Sequence, residues 1–479
     1  MKKFLCLLAV AAAVSSLRAQ QLSPAELAED NPNGHSRFWT YYDPKPSNYI
    51  GSHDWWKGDS LSGDWWGIRN FLDDSGVEIS ASYTNNIAGN PVGGESAGFT
   101  YTDNVSFGLQ LNFEQLIGWK GLTVDVSGLN RAGSSLSQQN IGNQFTVQQV
   151  YGGQTVMFYA LLFEQKLLDD KISIKAGRFS AGDDFASSPI YWLYMNNGID
   201  GNPQALPVNT CFSAYPWAVW AARLRVDPTP EFNAMVGAYQ VSNRVFGHPE
   251  YHGLDWSIRQ GDGVLLISQI GWTPEFFKRP VEKAAAADGK SVVETKARSE
   301  GKTFKAVAPE TVMKGLPGHY WVGGYYSPWN FAQFGTTDTA SNSYGFYLHA
   351  DQMVWQESPG SDQGLTLWTS MVLSPQQNIA KLPFQANAGV VYKGLVPTRD
   401  QDYTLFGLVY GKFSNNYART VEAAGNGYPQ YEMVLEWGYR VNFTKFAYVQ
   451  PDLQWVINPG GTGRIPNALV LGAQMSVVF

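Results

Sequence analysis

Cysteine is almost absent from this 479-residue sequence, which contains only two. Cys6 falls inside an apolar N-terminal run, so Cys211 alone remains in the body of the chain. One thiol cannot form an internal disulfide. A chain of this size that enters an oxidising compartment must therefore be stabilised by something other than cross-links.

The N-terminus has the features of a secretory signal peptide. Lys2 and Lys3 precede an apolar run at 4–14, and small residues continue to Ala19, after which we expect cleavage. Removal of residues 1–19 takes away three basic residues and changes the formal net charge from −7 to −10. This acidic balance gives no reason to expect a nucleic-acid or anionic-lipid partner.

Long hydrophobic runs are also missing. No stretch approaches the roughly 18 uninterrupted apolar residues that a membrane-spanning helix needs. The sequence instead holds 17 tryptophans, 25 tyrosines and 26 phenylalanines beside 49 glycines. Abundant aromatics and glycines without spanning helices indicate β-structure at a membrane.

The C-terminal stretch NALVLGAQMSVVF alternates in steps of two. Every second residue from Leu469 to Phe479 is apolar, whereas the residues between them are small or mixed. Transmembrane strands alternate in this way over about 9–11 residues, because lipid-facing and lumen-facing side chains point in opposite directions. Four other segments alternate as cleanly, at 77–84, 106–114, 431–443 and 447–457.

Eleven less regular segments raise the number of predicted strands to sixteen. An even number suits a closed antiparallel barrel, which satisfies every backbone group in lipid. We therefore predict an all-β fold: a transmembrane antiparallel β-barrel of 16 strands over 77–479, preceded by a periplasmic segment at 20–76 with a short helix. The eleven segments are 121–130, 155–167, 172–181, 217–228, 232–242, 263–272, 320–329, 346–357, 365–374, 384–395 and 403–413.

A soluble β-sandwich or lectin would alternate in a similar way, with its apolar face inward. In this sequence the second face holds charges, at Asp125, Glu436, Arg440 and Asp452. These groups are costly to bury unpaired but stable in a wet lumen. The signal peptide and the aromatic content favour the barrel.

Four stretches carry a family resemblance. They are LSGDWWGIRNFLDDSGVEISASYT, QFTVQQVYGGQTVMFYALLFEQKLLDDKISIKAGRFSAGDDFASSP, CFSAYPWAVWAARLRV and LEWGYRVNFTKFAYVQPDLQWVINPGG. They resemble the carbohydrate-selective porins of the OprB type, and the similarity extends from Leu61 over nearly the whole remaining chain. The resemblance implies a monomer-sized pore in a Gram-negative outer membrane, surrounded by its lipid, through which small carbohydrates diffuse. Phe479 resembles the terminal signal for barrel insertion.

The long connection at 181–216 is expected to fold inward and narrow the pore. It holds Asp183, Asp184 and Trp192. Aromatic faces can stack on the C–H side of a sugar, and carboxylates can accept hydrogen bonds from its hydroxyls. The alternative is that the aromatic side chains only pack this connection against the wall.

Five charged residues fall on the lumen-facing positions of their predicted strands and complete the predicted pore lining: Arg131, Arg223, Arg225, Glu436 and Arg440. Guanidinium groups can donate to sugar hydroxyls, and a salt bridge within the wall is the alternative role for each arginine. The alternation points the side chain of Arg178 away from the lumen, unless a bulge at Gly177 turns it inward. It is included because the motif GRFSAGDDF of the resembling stretch is intact.

An outer-membrane or secreted enzyme acting on glycans or lipids is the alternative function. GESAG at 94–98 matches a nucleophile pattern that requires a strand turning into a helix, but Ser96 falls in a Gly/Ser-rich loop. HPEYH places His248 and His252 at metal-ligand spacing, yet Pro249 disfavours a helix and no third ligand is evident. We predict no catalysis, no metal and no cofactor. A plugged active transporter is disfavoured because only 20–76 precede the first strand.

A long connection at 273–319 carries nine basic residues. Eight predicted strands follow it and return the chain to the side on which it ends. Because the last strand of such barrels runs inward, we place this insertion in the periplasm. It is either a solvated linker or a segment that meets acidic material.

Overall fold

The computed structural model describes residues 48–245, 248–282 and 311–479. The predicted signal peptide at 1–19 and the middle of the 273–319 connection lie outside the described residues. The described strands are β1 Val77–Val92, β2 Gly98–Asn112, β3 Leu122–Gly133, β4 Thr155–Leu167, β5 Ile172–Phe179, β6 Val219–Thr229, β7 Phe232–Val241, β8 Gly263–Trp272, β9 Glu275–Glu282, β10 Thr311–Ser327, β11 Phe331–Ala332, β12 Thr339–Ala340, β13 Ser343–Gln356, β14 Gly364–Leu373, β15 Phe384–Lys393, β16 Tyr403–Lys412, β17 Tyr431–Asn442, β18 Ala447–Ile457 and β19 Ala468–Val478.

Helices are short and lie between strands or before them. The α-helices are α1 Ile68–Asp74, α2 Phe113–Ile117, α3 Ala205–Asn209 and α4 Asn415–Ala423. A π-helical turn covers Ser137–Ile141, and 3-10 turns cover Trp55–Lys57, Trp65–Gly67, Ala181–Asp183, Tyr191–Leu193, Pro249–Tyr251 and Pro459–Gly461. In the described part of the chain, no helix has both the length and the apolar composition needed to cross a membrane.

Sixteen strands form one closed antiparallel sheet. Each of β1 to β8 pairs with its neighbours in the chain, β8 pairs with β10, and β10 continues through β13 to β19. The sheet closes where Ser82 of β1 lies opposite Val478 of β19. The predicted sixteen-stranded barrel is therefore confirmed, and so is its closure by the first and last strands.

The 273–319 connection is not a plain loop where it is described. Its first strand, β9, pairs with the beginning of β10 from Thr311 to Pro317. The rest of β10 pairs with β8, from Tyr320 to Tyr326. The two flanks of the insertion thus form a two-stranded arm that extends the barrel wall.

Alternation along β19 decides which face of the sheet is outside. Leu471 and Met475 are 53% and 37% exposed, whereas Val470 and Gln474 on the other face are buried. A lipid-facing apolar surface and a lumen-facing polar surface follow from the period of two along a strand. The apolar face identified in the terminal stretch is the outer face of the barrel.

The two ends of the barrel differ in the length of their connections. One end has the turns 168–171, 230–231 and 443–446 together with the chain terminus, and the other has long loops. The predicted short helix is confirmed as α1, which lies at the end with the short turns. Arg69 of this helix donates to the carbonyl oxygens of Ile79 and Phe479, both at 2.9 Å.

Two of the long loops enter the barrel and supply its core. We call 134–154 the first inner loop and 180–218 the second inner loop. Phe145, Tyr191 and Tyr194 from these loops are fully buried. The hydrophobic core of this protein therefore lies inside the barrel, where it narrows the lumen.

Candidate functional site: the lumen constriction

The second inner loop is fixed to the wall at the 3-10 turn Tyr191–Leu193. Arg440 of β17 donates from Nη2 to the carbonyl oxygen of Trp192 at 2.8 Å. Gln450 of β18 donates from Nε2 to the carbonyl oxygen of Leu193 at 2.8 Å. Two neighbouring strands therefore hold two successive peptide groups of the turn, while the indole of Trp192 stays 48% exposed.

Glu436 holds the next part of the same loop. Its two carboxylate oxygens accept from the backbone N–H groups of Met195 at 2.6 Å and Asn196 at 3.2 Å. Glu436 is 1% exposed. The predicted lumen position of Glu436 agrees with the structure, but its carboxylate is used by the loop backbone.

Glu432, four residues earlier on the same face of β17, does the same for the first inner loop. It accepts from the backbone N–H groups of Gln144 at 2.7 Å, Phe145 at 2.8 Å and Gly460 at 2.7 Å. The sequence analysis did not select Glu432, although it shares the lumen parity of Glu436. Its position on the polar face of an alternating strand was the signal that could have found it.

The two inner loops also bind each other. Asn197 donates its backbone N–H to the carbonyl oxygen of Thr146 at 2.8 Å, and Gln149 donates to that of Met195 at 3.0 Å. Backbone groups of irregular segments must find partners when they are taken out of water. The pair of loops therefore forms one internal body across the lumen.

Arginines from two parts of the wall approach this body. Arg131 of β3 donates from Nε to Asn104 Oδ1 at 3.1 Å and from Nη1 to the carbonyl oxygen of Tyr151 at 3.3 Å. Its guanidinium carbon lies 4.9 Å from the ring centre of Tyr215. Arg131 is 4% exposed, so most of its charge is covered by protein.

Asp200 of the second inner loop faces both wall arginines. It lies within electrostatic range of Arg440 and Arg131, and its Oδ1 has no hydrogen-bond partner among the described residues. Asp200 is 5% exposed and this oxygen is buried, so the group is closed to a passing solute. The sequence analysis missed Asp200 because a loop has no regular alternation that predicts where its side chains point.

A separate cluster of charges lies at the start of the second inner loop. Arg223 Nη2 is 3.0 Å from Glu164 Oε1 and 3.3 Å from Asp184 Oδ1. Lys175 Nζ is 2.8 Å from the same oxygen of Asp184. Arg223 and Asp184 are thus paired within the wall, which was the alternative role considered for each arginine.

Asp183 and Arg225 remain accessible from the lumen. Asp183 is exposed, although its oxygens accept from the hydroxyl of Tyr159 at 2.6 Å and the backbone N–H of Ser180 at 3.0 Å. Arg225 has 40% of its side chain exposed and pairs with Asp227 at 2.7 Å. The candidate site therefore contains buried charges that hold the loops and a smaller set that a solute can reach.

Residues 96–479 match the family described as "Carbohydrate-selective porin, OprB family". The chain belongs to this porin family. It is 26% identical over 455 residues to Porin B of Pseudomonas aeruginosa, which covers 88% of this chain and 91% of that relative. It is 23% identical to the putative porin QuiX of Acinetobacter baylyi, covering 89% of this chain and 95% of that one. The high-pH structure of Pseudomonas putida OprB has a TM-score of 0.76 at 23% identity, covering 88% of this chain and 99% of that chain.

The porin is a β-barrel of the Gram-negative outer membrane that passes carbohydrates. Its family and the names of its relatives point to a channel rather than an enzyme. Ser96, the residue of the nucleophile pattern, accepts at Oγ from Asn140 Nδ2 at 3.0 Å and so ties a strand connection to the first inner loop. In the described ranges, no group of three or more His, Cys, Asp or Glu side chains is arranged to hold a metal.

The prediction that Arg178 lines the pore of this porin is wrong. β5 and β6 pair without a register shift, and Arg178 lies opposite Trp220 on the outer face. Its guanidinium donates to the carbonyl oxygens of Asp255 at 2.9 Å and Ala218 at 3.0 Å. The ring of Trp256 lies 5.5 Å from the guanidinium carbon. Arg178 therefore holds a loop segment against the outside of the barrel, and no bulge at that strand turns it inward.

Proposed function

We propose that Trp192 and Asp183 are the main sugar contacts of this porin, and that the buried charges around them set the width of the constriction. Both residues are exposed, and they offer an aromatic face and an acidic side chain to an uncharged sugar. Arg131, Glu436 and Arg440 are at most 8% exposed, which supports a role in holding the loops. A few weak contacts allow a sugar to enter and also to leave.

The wall arginines and Asp200 are buried, with Arg131 4%, Arg440 8% and Asp200 5% exposed. The contacts of both arginines include backbone carbonyl oxygens of the inner loops. We infer that these groups act on a passing sugar indirectly, by fixing the position of the exposed residues.

The proposal rests on Trp192, whose backbone carbonyl oxygen is hydrogen-bonded to the wall while its indole stays exposed. Conductance of the purified porin in planar bilayers, with a series of glucose oligomers, tests it. Trp192→Ala should weaken the block of ion current by sugar several-fold while the channel still conducts. Trp437→Ala, which removes a 41% exposed tryptophan from the outer face, is the matched control. Sugar should block its ion current as strongly as that of the wild type. Equal block in wild type and Trp192→Ala would contradict the proposal.

We also propose that the end with the short turns faces the periplasm, which places 20–76 and the 273–319 insertion there. Short periplasmic turns and long outer loops are the rule in these barrels. In a Cys211→Ser background, Ser299→Cys should react with a membrane-impermeant thiol label only after the outer membrane is opened. Asn426→Cys, on an exposed part of the loop at the opposite end, should react in intact cells. Labelling of Ser299→Cys in intact cells would reverse the orientation.

We infer that one chain is sufficient for passage, because the closed sheet encloses its own lumen. The apolar outer face would then contact outer-membrane lipid around the whole barrel. Light scattering of the detergent-solubilised porin should give the mass of one chain plus detergent. A stable trimer that loses conductance on dissociation would contradict this inference.

A further inference from the structure

One long connection lies against the outside of the barrel at the end with the long loops. We call residues 248–262, which lead into β8, the outer strap. The strap crosses four strands and is hydrogen-bonded to one residue of each: Phe158 of β4, Arg178 of β5, Trp220 of β6 and Gln240 of β7. Each of these residues lies among the four at the long-loop end of its strand. The strap therefore runs along the outer wall close to its rim.

Every second residue in the middle of the strap points away from the barrel. These residues are Leu254, Trp256 and Ile258, which are 64%, 36% and 72% exposed. The polar residues between them are partly buried, and Asp255 accepts from Arg244 Nη1 at 2.6 Å. An extended segment places successive side chains on opposite sides. The strap therefore has a polar inner face and an apolar outer face.

The wall binds the backbone carbonyl groups of the strap. Arg178 Nη1, Trp220 Nε1 and Gln240 Nε2 donate to the carbonyl oxygens of three successive residues at 255–257, at 2.9, 2.9 and 3.1 Å in that order. Irregular backbone can lie beside lipid only when its polar groups find partners within the protein, whereas a loop in water has no such need. The strap meets this requirement along its apolar stretch.

The strap in turn covers polar groups of the outer wall. Arg178 and Gln240 are 2% and 8% exposed, although both project from the outer face of their strands. Gln240 shares that face with Val236, which is 52% exposed. A charged side chain on the lipid face of a barrel is destabilising. The strap thus shields these two groups and presents apolar side chains in their place.

The outer face of the strap continues the lipid-facing surface of the barrel. The ring centre of Trp256 lies 5.4 Å from that of Phe158 and 6.1 Å from that of Trp220. Val156, on the same face of β4 as Phe158, is 64% exposed. Aromatic side chains of this kind form the girdles where a barrel meets the membrane–water interface. The strap and the strands beside it therefore share one apolar surface.

We propose that the outer strap is a lipid-contacting element, in which Leu254, Trp256 and Ile258 pack against the acyl chains of the outer leaflet. The inference concerns a surface away from the sugar path, and it rests on the proposed orientation only in naming the leaflet. Lipid is the partner that fits, because the strap is continuous with the lipid-facing wall and its carbonyl groups are bonded as hydrocarbon requires. The strap is a second layer of the wall at the place where strand ends carry polar side chains outward.

Fluorescence quenching by brominated lipid tests the proposal. In a Cys211→Ser background, Ile258→Cys is labelled with bimane, and the porin is reconstituted into phosphatidylcholine liposomes with or without bromine on the acyl chains. Leu471→Cys, at a 53% exposed site on the outer face of β19, is the positive control. Asn426→Cys, on an exposed part of a long loop, is the negative control. Bromine should quench the label of Ile258→Cys to within about twofold of that of Leu471→Cys, and it should leave the label of Asn426→Cys unchanged.

Leu254→Cys provides a second site if Ile258→Cys does not fold, and the same quenching is expected there. Quenching at these sites as weak as that of Asn426→Cys would overturn the proposal. Spontaneous disulfide linkage between most Ile258→Cys chains in the liposomes would also overturn it, because a second copy of the chain would then cover the strap. The liposome assay reports lipid contact whichever way the barrel inserts, so reversal of the proposed orientation in cells would not alter its result.

Discussion

Glu436 gives the sharpest test of how the inner loops are held. Its carboxylate accepts from two successive backbone N–H groups of the second inner loop, and it is almost fully buried. Glu436→Gln keeps the shape of the side chain but leaves one oxygen for two donors. A buried donor that is left without a partner costs about 1–3 kcal/mol. One such donor therefore weakens loop attachment by about 1–3 kcal/mol.

Because 1.4 kcal/mol corresponds to a factor of ten, the detached population of the loop should rise roughly 5- to 140-fold. Limited proteolysis of the detergent-solubilised porin should then cut within 180–218, and single channels should become noisier. The barrel itself should stay folded, because the β16–β17 and β17–β18 pairings do not use this carboxylate.

Glu432→Gln is the matched control, because it tests whether each carboxylate holds its own inner loop. It should expose the first inner loop to protease at 134–154 in preference to the second. A folded Glu436→Gln variant with wild-type proteolysis, conductance and sugar block would show that the carboxylate is not a loop attachment, and the reasoning from its geometry would fail.

Three further predictions concern charged residues away from the turn that carries Trp192. Arg178→Ala should expose the loop segment 248–262 to protease and leave conductance unchanged, since this arginine lies outside the barrel. Hydrogen bonds from Ser257 lower the pKa of Asp255 in that segment from its ordinary 3.8; the stability they give is complete above about pH 4 and is lost as the pH falls through the lowered pKa, so proteolysis there should increase in acid. Arg223→Ala should lower barrel stability by about 1.5–3 kcal/mol, because it removes charged hydrogen bonds to Glu164 and Asp184 while Lys175 still pairs with Asp184. The more exposed Arg225→Ala should cost less than about 1 kcal/mol. Urea unfolding followed by gel mobility distinguishes the two, and equal effects would contradict the assignment.

The strands were predictable because their signal is local. A period of two in hydrophobicity depends only on neighbouring residues, and the need to satisfy every backbone group in lipid forces the strands to close. Sixteen segments, their order and the outer face of β19 all followed from this. The two-residue alternation along each strand also predicted that Glu436 and Arg440 face the lumen. The same alternation pointed Arg178 outward, as the structure shows.

The error at Arg178 came from giving a shared motif more weight than the parity of the strand. Its partner, the carbonyl oxygen of Asp255, is 77 residues away in sequence, and no local pattern indicates that this segment lies against the outer wall. The flanks of the 273–319 connection gave no alternation that predicted the arm formed by β9 and β10. Pairing of two distant segments decided both.

The sequence by itself determined the architecture of this porin and the side of the sheet on which most charges lie. Only the tertiary structure decided what those charges do. Whether a lumen carboxylate meets a sugar or a backbone N–H depends on where two long loops fold, and their path is set by contacts such as those of Glu432, Glu436 and Tyr191 with residues 158 to 288 positions away. Those contacts form because the closed barrel confines the loops to a narrow space, and a linear pattern carries no information about which groups then meet.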